Sequence, residues 1–238
     1  AQLGARQYYP LDADTMLNEH SWKAALRAAG AAVAATDAVI AGEIENAFCA
    51  IRPPGHHARP SEAMGFCLFG NVAIAARHAM DVHGLERVAI VDFDVHHGNG
   101  TEEAFLDDRR VLMVSFFQHP FYPYTEIHDL PNMVNIPVPA YSGGDTVRQL
   151  VREKWLPALD AHRPEMIFIS AGFDAHREDD LGQMALVEAD YAWITEQVVQ
   201  AARKHAKGRI VSCLEGGYNL SALGRSVVAH VKALAGIG

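Results

Sequence analysis

The sequence predicts a three-layer α/β fold around a central, mainly parallel sheet. Three observations carry this. Six short apolar runs rich in Val, Ile, Phe and Met recur along the 238 residues. Longer segments with helical periodicity separate them. No internal repeat or low-complexity linker divides the chain, so one domain over residues 1–238 is expected. Strands alternating with helices imply crossover connections, parallel pairing and helices on both sheet faces.

The expected strands are 47–51, 87–93, 111–116, 133–138, 166–171 and 209–214. Ser21 is placed to cap an Ala-rich helix ending near Gly42. A second helix is expected over 68–83, and others from near Gly144, Asp190 and Leu220.

Composition narrows the function classes. Half the residues are hydrophobic and 21% are charged, which suits a soluble protein with a sizeable core. The net charge is −9 with no Lys/Arg cluster, so nucleic acid is not expected as a direct partner. The apolar stretch 24–41 is interrupted by Arg27 and Asp37, so no membrane span is expected. Cys49, Cys67 and Cys213 sit in apolar contexts and read as buried, reduced thiols, which favours a reducing, cytoplasmic compartment. The chain begins at Ala1 rather than Met, and a preceding segment is expected.

Thirteen histidines are unusual, and their positions direct the reading. Ligands of α/β sheets gather beyond the strand C-termini. Four expected strands run into loops rich in His, Asp and Gly: Arg52-Pro-Pro-Gly-His-His57, Asp94-Val-His-His-Gly98, Gly172-Phe-Asp174 and Glu215-Gly-Gly-Tyr218. Asp92, Asp94 and His96 alternate, so a strand continuing to His96 projects them to one face. With Asp174 from another strand end, Asp94 and His96 make a mixed N/O metal site with a vacancy. Zinc fits it, as do iron(II) and cobalt. Without Asp174, Asp94 and His96 read equally as a hydrogen-bonded pair that orients a loop.

Pro53, Pro54 and Gly55 fix the path of the His56-His57 loop, and one of these histidines is suited to carry a proton. Asp92 is a plausible orienting partner for one of them. The glycines before Tyr218 suit a tight turn that brings backbone close to the site, where Tyr218 could donate to a developing oxyanion. Packing under that turn is the alternative role.

Four strings together resemble the histone deacetylase family, nearest its class II-like bacterial members: Arg52-Pro-Pro-Gly-His-His57, Asp92-Phe-Asp-Val-His-His-Gly-Asn-Gly-Thr101, Ser170-Ala-Gly-Phe-Asp174 and Leu214-Glu-Gly-Gly-Tyr218. The resemblance implies an arginase/deacetylase-like fold and a zinc-dependent deacetylase acting on an acetylated lysine peptide or small acetylated amine. It makes Asp94, His96 and Asp174 the zinc ligands, and His56, His57 and Tyr218 the catalytic groups, supported by Asp92 and Asn99. It also implies a structural potassium site at Asp92, Asp94, Ser115 and Phe116, including the carbonyls of His96 and Phe116. Gly65, Phe66 and an aromatic residue of Phe121-Tyr122, with Leu181 at the rim, match the acyl-lysine channel. Homo-oligomerisation is left open.

Three departures stand out. The family's opening strand is missing before Ala1. The stretch 125–132 is short for the loop carried there, and Tyr124-Thr125-Glu126 lacks an expected glycine, so residues are expected to be missing at that point. Asn99 replaces the Asp of class I members and supplies no charge to raise the pKa of His57. The principal alternative is an acetylpolyamine amidohydrolase; Leu181 stands where polyamine-selective relatives carry Glu. An arginase-like dinuclear site lacks its extra carboxylates, since Gly98 stands in one place and Asp174 is followed by Ala175-His176 rather than by a second Asp. A catalytically silent acyl-lysine binder does not need the retained ligands, histidines and tyrosine.

Overall fold

Strands β4 (Val88–Asp92), β5 (Val111–Gln118) and β7 (Met166–Ala171) are buried along their whole lengths, because helices cover both faces of the sheet they form. The computed structural model describes residues 7–237. The expectation about what precedes Ala1 lies outside the described residues.

The remaining strands of this sheet are β3 (Asn46–Cys49), β6 (Met133–Val138) and β8 (Ile210–Leu214). The order is β3-β8-β7-β4-β5-β6, and every pairing is parallel. A two-residue-per-strand antiparallel hairpin, β1 (Tyr9–Pro10) and β2 (Met16–Leu17), precedes it.

Strand alternation sorts the core onto two faces. Val88, Ile90, Met113 and Phe168 pack with Ala32 and Val39 of α1 (Ser21–Ala41), with α2 (Asn71–Asp81), and with Phe105 of α3 (Asn99–Phe105). Ala89, Val91, Val114 and Ile169 face the other way. They pack with Trp155 and Leu159, and with α6 (Glu188–His205) and α7 (Leu220–Leu234). Fully burying a side chain such as Ile90 or Phe168 contributes roughly 1.5–3 kcal/mol. The α4 (Gly144–Leu150) and α5 (Leu156–His162) helices are joined through a π turn, Val151–Trp155. Pro157 has no N–H to return to Glu153, which suits a widened turn just before it.

The expectations hold in outline and fail in detail. The two-strand hairpin and α3 were not expected, because both are short and α3 opens on Asn-Gly without helical periodicity. The second helix is shorter than 68–83. Ser21 is not the α1 cap: His20 occupies that position, and Ser21 Oγ exchanges hydrogen bonds with Asn18. At 21 residues and mean hydropathy 1.4, α1 is long and apolar enough to cross a membrane on those criteria alone, contrary to expectation. In the fold its small-residue face, Ala25, Ala28, Ala29 and Ala32, is buried. Cys67 and Cys213 are buried thiols, whereas Cys49 is half-buried. Cys49 and Cys213, far apart in sequence, are register partners on adjacent strands.

The topology places the site. From β4 the chain crosses through α3, on one face, to β5. From β7 it crosses through α6, on the opposite face, to β8. Adjacent strands whose connections diverge to opposite faces leave a crevice beyond their C-termini.

Candidate active site and metal centre

Asp94 and His96 follow β4, and Asp174 follows β7, at that crevice. One potential ligand atom from each lies within 4.8 Å of the others. His96 Nδ1 is 3.1 Å from Asp94 Oδ1 and 3.2 Å from Asp174 Oδ2. Its ring N–H can serve only one of them, and Asp174 Oδ2 is left buried without a hydrogen bond. The other carboxylate oxygens are held by backbone: Val95 N donates to Asp174 Oδ1 at 2.9 Å, and Gly216 N to Asp94 Oδ2 at 2.9 Å. Burial, and then the neighbouring Asp94 charge, push the Asp174 carboxyl up to about 6. His96 rises to about 10: burial opposes its charge, but Asp174 and Asp94 outweigh it. Two buried carboxylates, one of them with an orphaned oxygen, and one imidazole form a three-residue donor set suited to a zinc-like cation.

Convergence does not arise from strand alternation. Regular strand ends at Asp92, and residues 94–96 form a bend held by Asp94 N on Asp92 Oδ1 and His96 N on Asp94 Oδ1. The bend brings Asp94 and His96 together, while Asp92 turns to a different partner. Asp92 Oδ2 is 3.0 Å from His56 Nδ1. His57 Nδ1 is 2.8 Å from Asn99 Oδ1.

The two histidines therefore differ in charge. Burial opposes protonation of His56, but Asp94 and Asp92 hold it well above the usual imidazole range. Burial, reinforced by the positive charges of His56 and His96, holds His57 well below that range.

Tyr218 is half-buried, and its ring meets Phe66 edge-on at 5.9 Å. Burial and the charges of Asp174 and Asp94 raise its hydroxyl pKa, so it remains a proton donor. The preceding turn does approach the site: a Cβ at Gly216 would stand 2.1 Å from Asp174 Oδ2. At Gly98 a Cβ would meet Asp92 Oδ2 at 2.3 Å, which leaves no room for the extra carboxylate of a dinuclear site.

Phe121 stacks on His96 with centroids 5.3 Å apart, and Tyr122 meets His57 edge-on at 5.2 Å. Both candidate aromatics thus flank the centre. Gly65 N donates to Asp14 Oδ1, and Phe66 N donates to Thr15 Oγ1. Leu181, 42% exposed, lies on the loop between β7 and α6. Ser115 is the β5 register partner of Asp92, and Phe116 follows it. Ser115 Oγ donates to Asn135 Oδ1. Tyr124, in the stretch that lacks the expected glycine, takes a left-handed φ of 58°, which a glycine adopts at lower cost.

Three supporting groups escaped the sequence reading. The buried carboxylate of Glu215 accepts from Gly55 N, His56 N and Ser170 Oγ, and so anchors the tandem-histidine loop. Asp179 accepts from Tyr218 N, Asn219 N and Leu181 N. Asp14 and Thr15 steady the aromatic wall. Only Glu215 had a sequence signal, its place in Leu214-Glu-Gly-Gly-Tyr218. Asp179 lies within the ordinary charge run Glu178-Asp179-Asp180.

The same arrangement is tied to a known family. The histone deacetylase domain matches residues 2–234. The chain belongs to the histone deacetylase family. The histone deacetylase-like amidohydrolase of Pseudomonas aeruginosa is 39% identical over 95% of this chain and 62% of its own length. A probable deacetylase of Archaeoglobus fulgidus is 40% identical over 95% of this chain and 65% of its own length. The chloroplastic histone deacetylase 14 of Arabidopsis thaliana is 42% identical, and the chain spans 55% of its length. The HDA15 HD domain crystal structure superposes with a TM-score of 0.91 at 38% identity, over 97% of this chain and 67% of that one. The sheet and flanking helices are thus the arginase/deacetylase-like arrangement of the histone deacetylase family.

Proposed function

We propose that the chain is a zinc-dependent deacetylase that hydrolyses the acetyl amide of acetyl-lysine or a similar acylated amine. The observation that carries this is the buried Asp94–His96–Asp174 cluster, with its orphaned Asp174 Oδ2, beside a neutral His57. Zinc held by these three residues would supply a Lewis acid that polarises an amide carbonyl and acidifies water.

The protein groups divide the remaining work. Asn99 Oδ1 holds His57 Nδ1 as the N–H, which leaves Nε2 to take a proton and return it to the departing amine. His56 stays cationic against Asp92 and adds positive charge to the pocket. The protonated Tyr218 hydroxyl donates to the oxyanion that forms on the acyl oxygen. Phe66 and Tyr122 pack against the aliphatic stem of the substrate, with Gly65 in the same wall and Leu181 at its rim. Potassium at Asp92, Asp94, Ser115 and Phe116 is part of this reading. Asp92 and Ser115 are paired oxygen donors on adjacent buried strands. A reducing, cytoplasmic setting is also part of it, in keeping with the buried thiols of Cys67 and Cys213.

One observation favours acetylpolyamine hydrolysis instead. Besides burial, the charges of Asp14 and Asp12 raise the Tyr122 hydroxyl, so carboxylates stand beside the aromatic wall.

The test is acetate release from an acetyl-lysine peptide by the zinc-loaded chain. Asp174→Ala is expected to lose both metal and activity. Full zinc occupancy in that variant, by elemental analysis, would overturn the assignment.

A further inference from the structure

A second group of metal-ligating side chains lies at the opposite end of the sheet. Asp37 is on the last turns of α1, which leads towards the N-terminal end of β3. His78 is in the last turn of α2, and His83 is in the turn that follows and leads towards β4. The catalytic loops instead leave the strand C-termini.

The geometry is convergent. His78 Nε2 and His83 Nε2 both lie 2.6 Å from the same atom, Asp37 Oδ1. The rings are 5.2 Å apart and inclined at 77°, so they meet the carboxylate from different directions. One potential ligand atom from each of the three residues lies within 4.8 Å of the others. Helix packing of α1 against α2 brings them together. With the catalytic triad, this is one of two such groups among the described residues.

We propose that Asp37, His78 and His83 form a second divalent-metal site, for zinc or a neighbouring first-row ion, which clips the end of α1 to the turn between α2 and β4. Two imidazoles and one carboxylate are the borderline N/O set such ions take, and three protein ligands leave a position for water. Donors around a tetrahedral zinc stand roughly 3.3 Å apart, given bonds of about 2.0–2.1 Å. The two histidine–Asp37 pairs, each at 2.6 Å, need to open by less than about an ångström. The side chains can do this, being 48%, 21% and 26% exposed for Asp37, His78 and His83. The same exposure leaves the site open to ions from solution. Hydrogen bonds from His83 and His78 hold the Asp37 carboxyl below its ordinary range, so it is ionised at neutral pH. Binding replaces the two imidazole contacts to Asp37 Oδ1: each ring offers Nε2 to the ion and carries its proton on Nδ1.

The test uses the folded enzyme carrying its catalytic metal, dialysed free of excess ion and titrated with Zn²⁺ alone by calorimetry at pH 7.5. The wild type is expected to take up one further equivalent. The variants His83→Ala and Asp37→Asn are expected to weaken that uptake at least tenfold. Zinc should raise the Tm of the wild type by a few degrees and leave that of the variants in place. Without added zinc, all three proteins should melt within a degree or two of one another, because pairs this open to solvent contribute little. In Asp174→Ala the further equivalent should persist, which separates this site from the catalytic one. Uptake that is equal in wild type and both variants would overturn the proposal, as would no uptake by the wild type at 100-fold excess zinc.

Discussion

His57 Nδ1 stands 2.8 Å from the side-chain oxygen of Asn99, while His56 Nδ1 stands 3.0 Å from a carboxylate oxygen of Asp92. Asp94 and Asp92 keep His56 cationic, whereas burial beside the positive charges of His56 and His96 keeps His57 neutral. His57→Ala is therefore expected to be the more damaging substitution, by ~10²–10⁴ in the chemical step, the usual worth of a positioned acid–base group. His56→Ala should cost less, and both variants should keep the metal. Single-turnover assays that returned the reverse order would show the roles to be exchanged.

Tyr218→Phe removes a hydrogen-bond donor and almost no volume. Loss of an oxyanion donor costs ~10²–10³ in kcat. A fall of that size is expected, with zinc content unchanged. Turnover within a few-fold of wild type would mean that Tyr218 serves only to pack against Phe66.

Glu215 is fully buried, and burial, with help from the Asp92 charge, pushes its carboxyl up to about 7 from 4.5. Because the folded-state value is the higher one, the fold favours the protonated form. That contribution is complete below pH 4.5, declines above it, and is gone once pH exceeds about 7. Its full size is roughly 3 kcal/mol. Glu215→Gln imitates the protonated state, so its stability relative to wild type should rise by a few kcal/mol from pH 5 to pH 8. Urea denaturation of the metal-stripped proteins across that range provides the comparison, and parallel curves for the two proteins would contradict it.

For the substrate, kcat/KM should be higher for an acetyl-lysine peptide than for N-acetylated putrescine or spermidine. A polyamine brings ammonium groups that need partners when desolvated. Leu181 provides none, and Asp14 Oδ1 already accepts from Gly65 N and Thr15 Oγ1. A clear advantage for the polyamine on the same preparation would reverse the assignment. A further gain in Leu181→Glu would then locate the selecting element at the rim.

Much of this was legible in the chain because parallel strands buried on both faces leave uninterrupted apolar runs, and their ends mark where the loops begin. The runs at 133–138 and 166–171 coincide with β6 and β7. The four reactive loops share one sheet edge for the same reason. Geometry that depends on side-chain hydrogen bonding was less legible. Spacing alone grouped Asp92 with Asp94 and His96, whereas the bend after Asp92 sends it to His56. Nothing local marks Asp179 or Asp14 as part of the site, since the partners that tie them to it, Tyr218 and Gly65, are remote in sequence. The pairing of Cys49 with Cys213 was hidden for the same reason, because strand order is a long-range property.

Asp179 holds three N–H groups at once: those of Tyr218 and Asn219 through one oxygen, and that of Leu181 through the other. Leu181 and Tyr218, the proposed rim residue and the proposed oxyanion donor, therefore hang from a single carboxylate. A change in the mouth that shifts its backbone is transmitted to the tyrosine. Selection for a new substrate at position 181 thus carries a cost in turnover, and escape from that trade-off requires compensating changes around Asp179. Directed evolution of substrate preference in this scaffold should accumulate second mutations there.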